Sequence, residues 1–254
     1  MPEELQIRIH NPQAKQTLIY LPGLHGDWTL IGGFRDALRD RARFVEITYP
    51  RTLTWSLDDY AAGVENALHT AGINGGWLLG ESFGSQVLWP MLGRNRFRVC
   101  GAILAGGFAR HPTILGVRLA HRIAGALSLN LVVGVLFGYA RLARWRFRKS
   151  PKSLEAINEF IARRTKLDQQ AAQHRLRLLT VTDPCDIIRA AKVPIYALSG
   201  LFDPIVPWMF ARHWFRRNCP ALRAYRIVWK ADHNVLGTAP SIAAEQVLAW
   251  MTEP

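Results

Sequence analysis

Apolar and polar residues alternate in blocks along this chain, and two periodicities take turns. Short apolar runs bounded by glycine, proline or charge predict strands at 7–9, 17–21, 44–48, 77–79, 99–104, 193–198 and 224–229. Between them, apolar residues recur every three to four positions. That spacing predicts helices over 29–39 (Leu30, Phe34, Leu38), 57–70 (Leu57, Tyr60, Val64, Leu68), 86–92, 208–217 and 241–251. Strands alternating with helices imply a mostly parallel sheet covered on both faces. The rhythm breaks once. Residues 109–182 carry helical patterns and no convincing strand, so they read as a helical cap inserted into a core formed by 1–108 and 183–254. Ligands of such sheets bind beyond the carboxyl ends of the strands. The loops after Leu21, Leu79, Leu198 and Trp229 are therefore the places to look for chemistry.

The loop after Leu79 is Gly80-Glu81-Ser82-Phe83-Gly84, a G-x-S-x-G pattern set between a predicted strand and a predicted helix. A serine in that setting sits on a tight, strained turn with its hydroxyl lifted off the sheet. Serine needs a base of pKa near 7, and His233 follows the last predicted strand in Ala231-Asp232-His233-Asn234. A base in this role needs a carboxylate behind it, which Asp203 in Ser199-Gly200-Leu201-Phe202-Asp203-Pro204 is placed to supply. The backbone N–H groups of Leu24, after Pro22-Gly23, and of Phe83 are candidate donors to an oxyanion.

These four loops resemble those of the α/β-hydrolase family, whose triad runs in the order serine, acid, histidine. The resemblance covers the chain outside the cap interior and implies an esterase- or lipase-like serine hydrolase needing no cofactor and no metal. Leu21-Pro22-Gly23-Leu24-His25-Gly26 is similar to the family's oxyanion loop, although Pro22 stands where a histidine is common and His25 comes slightly later. His25 is a candidate for shaping the pocket.

Other acids and histidines fit plainer roles. Asp183 and Asp186 read as turn and helix-cap residues, Asp58 and Asp59 as the opening of a helix, and Asp232 as structural. Glu81 is expected to point away from substrate. His10, His69, His111, His121, His174 and His213 show no ligand spacing, and Gly32-Gly33 and Gly106-Gly107 lack the pattern of a dinucleotide site.

Composition adds two points. Cys100, Cys185 and Cys219 are far apart and without metal spacing, so they read as unpaired core thiols of a reducing compartment. With an acidic start and no apolar leader at residues 1–4, the expectation is a cytoplasmic protein. The net charge is +13, and 26 of the 32 basic residues are arginine, as codon bias in a GC-rich genome also produces. The charge is uneven, however. Residues 109–180 hold 14 Lys and Arg against Glu155, Glu159 and Asp168, a net +11. Within them, 18 uncharged residues at 123–140 precede Arg141, Arg144, Arg146, Arg148 and Lys149, which alternate with Leu142, Trp145 and Phe147. A spanning helix there would cut a sheet in two, so the run is expected to cover the site and line an apolar acyl pocket. The basic flank reads either as a solvated face of the cap or as a surface for an anionic membrane or an anionic substrate, with nucleic acid the weakest candidate. A lipophilic ester is the expected substrate. A thioester of coenzyme A or a carrier protein, a carbon–carbon bond and a non-catalytic binding role remain as alternatives.

Overall fold

The computed structural model describes residues 4–110, 158 and 165–253. In chain order the elements are β1 (Gln6–His10), β2 (Thr17–Leu21), α1 (Gly32–Leu38), β3 (Arg43–Thr48), α2 (Leu57–Thr70), β4 (Gly75–Glu81), α3 (Gly84–Arg94) and β5 (Arg98–Ala105). After them come α4 (Lys166–Val181), α5 (Cys185–Ala190), β6 (Ile195–Gly200), α6 (Trp208–Asn218), β7 (Leu222–Val228), α7 (Val235–Thr238) and α8 (Pro240–Thr252). The seven strands form one sheet in the order β1-β3-β2-β4-β5-β6-β7. All pairs are parallel except β1 with β3.

The period-two alternation of the strands divides the core. Ile19, Leu21, Val45, Ile47, Leu78 and Leu104 face one side and pack with Tyr60, Val64, Val87, Leu88 and Phe215 of α2, α3 and α6. Leu18, Tyr20, Phe44, Leu79 and Ile103 face the other and pack with Phe34 of α1 and Val247 and Trp250 of α8. β2 is buried on both faces, which is why Thr17–Leu21 reads as an unbroken apolar run rather than an alternating one. β5 and β6 pair directly, Ala102 to Ile195 through Ala105 to Leu198, so everything from 106 to 194 is an excursion between neighbouring strands. Its described part holds α4 and α5. The apolar run at 123–140 and the basic residues from Arg141 to Lys149 lie outside the described residues.

Two details depart from the sequence reading, and a third adds to it. α1 starts at Gly32 rather than 29, because Asp27 Oδ1 accepts both the Thr29 N–H (3.0 Å) and the Thr29 hydroxyl (2.6 Å). This local turn competes with the first helical turn. Cys100 is exposed, unlike the buried Cys185 and Cys219, so the expectation of three core thiols fails there. Strand β5 has begun by Arg98 but is covered only from Gly101 onward, which leaves position 100 at the surface. Third, β1 is an antiparallel edge strand, and a charged cluster holds it. Glu46 of β3 is fully buried and accepts from His10 Nε2 (3.0 Å) of β1 and Arg35 Nη1 (3.1 Å) of α1, with Arg8 Nε at 3.8 Å. Glu46→Ala strips the common acceptor from His10, Arg35 and Arg8, which remain partly exposed and can rehydrate. It is expected to cost about 1–3 kcal/mol of stability, read as a lower denaturant midpoint with an unchanged slope. An unchanged midpoint would show that the cluster does not hold the edge.

Candidate active site

Strand β4 gives way to helix α3 with two residues between them, and one is Ser82. Its backbone lies in the left-handed region, φ +49°, a conformation that costs a residue with a side chain about 1–3 kcal/mol. Hydrogen bonds on both sides hold it there. The Ser82 N–H donates to the Ala105 carbonyl (2.9 Å), and the Ser82 carbonyl accepts from the Ser85 N–H (3.0 Å) and hydroxyl (2.6 Å). The strand and helix close so tightly that a Cβ on Gly84 would lie 2.0 Å from the Leu21 carbonyl oxygen, and one on Gly80 2.9 Å from the Ser85 nitrogen. Only glycine fits either place.

Two further loops converge on the serine. His233, in the loop after β7, has Nε2 2.8 Å from Ser82 Oγ and Nδ1 2.8 Å from Asp203 Oδ2. Asp203, in the loop after β6, has a side chain with no exposed surface, and its Oδ1 accepts the N–H groups of Ile205 (2.9 Å) and Val206 (2.8 Å). Both carboxylate oxygens are therefore occupied, one aimed at the histidine by the turn that fixes the other. Burial pushes the His233 imidazole towards the neutral form. The charge and hydrogen bond of Asp203, reinforced by Glu81 and Asp232, outweigh that and leave its pKa above the ordinary histidine value.

The third group is the loop after β2. Leu24 sits in a turn closed by the Gly26 N–H on the Gly23 carbonyl (3.0 Å), next to the elbow that Gly84 and Leu21 bring together. Neither the Leu24 nor the Phe83 N–H has a protein acceptor among the described residues. His25 belongs to the same turn, with its ring against Gly23. A short row of nucleophile, base and acid beside two open N–H donors can carry out acyl transfer.

The remaining acids lie elsewhere. Asp183 pairs with Arg110 and caps the Cys185 N–H (3.1 Å), and Asp186 pairs with Arg189 (3.0 Å) in the first turn of α5. Asp59 forms a capping box with Ser56, while Asp232 accepts the Asn234 N–H (3.1 Å). Glu81 is buried and takes a hydrogen bond from the Tyr20 hydroxyl. Among the described residues no group of His, Cys, Asp and Glu is arranged to hold a metal ion, and no helix is long and apolar enough to cross a membrane.

Solved structures share this arrangement of strands and helices. An α/β hydrolase enzyme from a Medee basin deep-sea metagenome superposes with a TM-score of 0.76 at 11% identity, over 98% of this chain and 94% of that one. The chain has the α/β-hydrolase fold. A malate-bound thermophilic esterase from Thermogutta terrifontis matches with a TM-score of 0.75 and 19% identity, over 97% of this chain and 92% of its own. An enol-lactonase from Burkholderia xenovorans gives 0.75 and 17%, over 98% and 96%. No protein-family model and no curated protein sequence matches the chain.

Within this α/β-hydrolase fold, sequence reading missed the residues that hold the loops in place. Gln86 Nε2 (2.7 Å) and Trp89 Nε1 (3.2 Å) donate to the Phe108 carbonyl, and the Phe108 N–H donates to Ser85 Oγ (3.3 Å), which ties the loop after β5 to α3. Arg175 was missed as well. Its only sequence signal is an arginine on the apolar face of an otherwise amphipathic helix.

A base whose pKa is raised is charged, and so inactive, at higher pH than a free histidine. Any activity that needs neutral His233 is therefore expected to fall with decreasing pH through a midpoint above about 6.5. Asp203→Asn removes the charge that raises His233. It is expected to move that limb to lower pH and to cut kcat by roughly a thousandfold or more, while Asp186→Asn leaves both unchanged. A pH–rate profile for each variant checks this, and an unshifted limb in Asp203→Asn overturns the pairing.

Proposed function

We propose that the chain is a serine hydrolase that cleaves a carboxylic ester through an acyl-enzyme. The observation that carries this is the hydrogen-bonded row Ser82–His233–Asp203, built around a serine held in a left-handed turn. The fold likeness to esterases and an enol-lactonase supports the same reaction class. Ser82 Oγ adds to the ester carbonyl as its proton passes to His233 Nε2. The Leu24 and Phe83 N–H groups receive the oxyanion, and Asp203 stabilises the imidazolium. As the tetrahedral adduct collapses, His233 returns the proton to the departing alkoxide. Water, deprotonated by His233, then releases the acid and restores Ser82. The chemistry needs no cofactor and no metal.

A lipophilic substrate is supported by exposed apolar side chains in and next to the loops that carry the acid and the base. Phe202 precedes the acid, Trp229 lies just before the base loop, and Met209 and Phe210 open α6. All four are exposed, Trp229 by 75%. The excess of positive charge at 109–180 supports an anionic partner, and we assign it to peripheral contact with an anionic membrane from the cytoplasmic side. The same charge favours a second reading, an acyl thioesterase whose substrate carries phosphates. We further assign residues 109–182 as a helical cap over the site, with His25 shaping the pocket.

Ser82→Ala is expected to fold normally and to lose ester hydrolysis by several orders of magnitude, along with labelling by a fluorophosphonate probe. Turnover within about tenfold of wild type would remove Ser82 from the mechanism. Assays of p-nitrophenyl esters of increasing chain length beside acyl-CoA substrates decide between ester and thioester.

Each cation near an anionic surface gains about 1 kcal/mol, screened by salt. Reversing the charges of Arg144, Arg146 and Arg148 is therefore expected to abolish salt-sensitive binding to anionic liposomes and leave hydrolysis of a short soluble ester unchanged. Equally poor binding of the wild type to anionic and neutral liposomes at low salt would leave the acyl-CoA reading as the explanation of the charge.

A further inference from the structure

Arg175 is 1% exposed and has no carboxylate partner among the described residues. A buried guanidinium without a counter-ion is costly unless its donors are placed for a purpose. Two of them are. Nη1 donates to the Leu24 carbonyl (3.0 Å) and Nη2 to the Pro50 carbonyl (3.1 Å). Its flat face lies near the rings of Tyr49 (5.6 Å) and Tyr60 (5.9 Å), whose phenols burial pushes above their ordinary pKa and so keeps neutral. Among the described residues the cation meets carbonyl dipoles and aromatic faces, not an anion.

The Leu24 carbonyl is an informative place for that bond. Leu24 lies between two peptide planes. The first carries the Gly23 carbonyl and, trans to it, the Leu24 N–H. The Gly26 N–H holds the Gly23 carbonyl inside the turn (3.0 Å), so the Leu24 N–H is aimed the opposite way. The second plane carries the Leu24 carbonyl, which Arg175 holds. With both planes tied, Leu24 has little freedom to rotate its N–H. Gly26 completes the arrangement. Its φ is +85°, its carbonyl accepts the Tyr49 N–H (2.9 Å), and a Cβ there would lie 2.5 Å from Arg175 Nη1. The guanidinium occupies the space that a side chain at position 26 would take.

Helix α4 is itself anchored to the segment after β3. Arg51 Nε donates to Asp168 Oδ1 (2.6 Å) and His174 Nε2 lies 2.7 Å from the Trp55 carbonyl oxygen. The guanidinium is thus carried by a helix fastened at two further points, which makes it a rigid reference for the loop.

We propose that Arg175 is a positioning residue for the oxyanion site: by holding the Leu24 carbonyl it sets the direction of the Leu24 N–H. The proposal rests on the serine-hydrolase reading above and on Leu24 as a donor. Arg175 touches no reacting atom. Its effect is felt where charge develops on the substrate oxygen, in the tetrahedral adduct more than in the bound ester.

The test uses the full chain with Arg175→Met, which keeps the apolar stem, and Arg175→Lys, which keeps the charge but reaches one carbonyl at a time. A short soluble p-nitrophenyl ester supplies kcat and KM. An alkyl trifluoromethyl ketone supplies a tetrahedral mimic, in which Ser82 Oγ bonds to the ketone carbon, the serine proton passes to His233 and the former carbonyl oxygen becomes the anion. In Arg175→Met kcat is expected to fall about tenfold to a hundredfold, less than complete loss of one oxyanion donor, with KM within about twofold. The affinity for the ketone is expected to fall by the same factor as kcat/KM, and Arg175→Lys to lie between. A general loosening of the fold would not move the ketone affinity and kcat/KM together while sparing KM. Wild-type kcat and ketone affinity in either folded variant overturn the proposal. So does failure of both variants to fold, which would make Arg175 a fastener of the core. If only Arg175→Met fails to fold, Arg175→Lys decides by the same criteria. Ser82→Ala run beside them separates the two layers: if it stays active, the serine-hydrolase reading falls and takes this one with it. If it is dead while both Arg175 variants behave as wild type, this proposal alone falls.

Discussion

The structure depends on one reversal of backbone direction, where β4 hands over to α3 within two residues. The closeness of that approach dictates much else. Gly84 is pressed against the Leu21 carbonyl and Gly80 against Ser85, so the end of β2 and the start of α3 share one small volume. This places the loop after β2 beside Ser82 without any side chain reaching across. The unfavourable backbone of Ser82 is tolerated because neighbours over-determine it, through the Ala105 carbonyl before it and Ser85 after it.

The sheet order explains why residues from such distant parts of the chain meet. β4 lies between β2 and β5, and β6 and β7 follow on the side of β5. All five run parallel, so their carboxyl ends open on one edge. The loops bearing Leu24, Ser82, Asp203 and His233 leave that edge in turn. Two side chains there are held by backbone N–H groups: Asp203 by those of Ile205 and Val206, and Asn234 by that of Gly237 (3.0 Å), which it caps at the start of α7. Side chains seated on rigid backbone lose little further freedom when they act together, which favours a preorganised site.

Among the described residues between β5 and β6, helix α4 is tied to the loops of the sheet. It starts with a capping box between Thr165 and Asp168, and the same Asp168 pairs with Arg51. From there the helix reaches the segment after β3 through His174 and the loop after β2 through Arg175. One helix between β5 and β6 thus touches two loops at the carboxyl edge of the sheet.

Much of this was legible in the sequence because it depends on local pattern. Seven short runs marked seven strands, most plainly where a strand such as β2 is buried on both faces and so apolar along its length, and helices between them showed their buried stripe every three to four residues. The elbow was legible because its steric demand is met by glycines two residues either side of Ser82. Asp203 and His233 could be named as candidates from their places after successive strands, while Asp183, Asp186 and Asp232 sat where turns and caps need acids. Other features depend on separation in space, which no local pattern encodes. The cluster at the β1 edge joins Glu46 to His10 and Arg35 from two other elements. The exposure of Cys100 depends on where the cover of β5 begins. The grip of Arg175 on Leu24 joins residues 151 positions apart. The sequence by itself determined which elements form and which loops carry reactive groups, because period and turn chemistry act over a few residues. Only the tertiary structure decided which donor meets which acceptor, because a hydrogen bond between distant loops is a property of their packing.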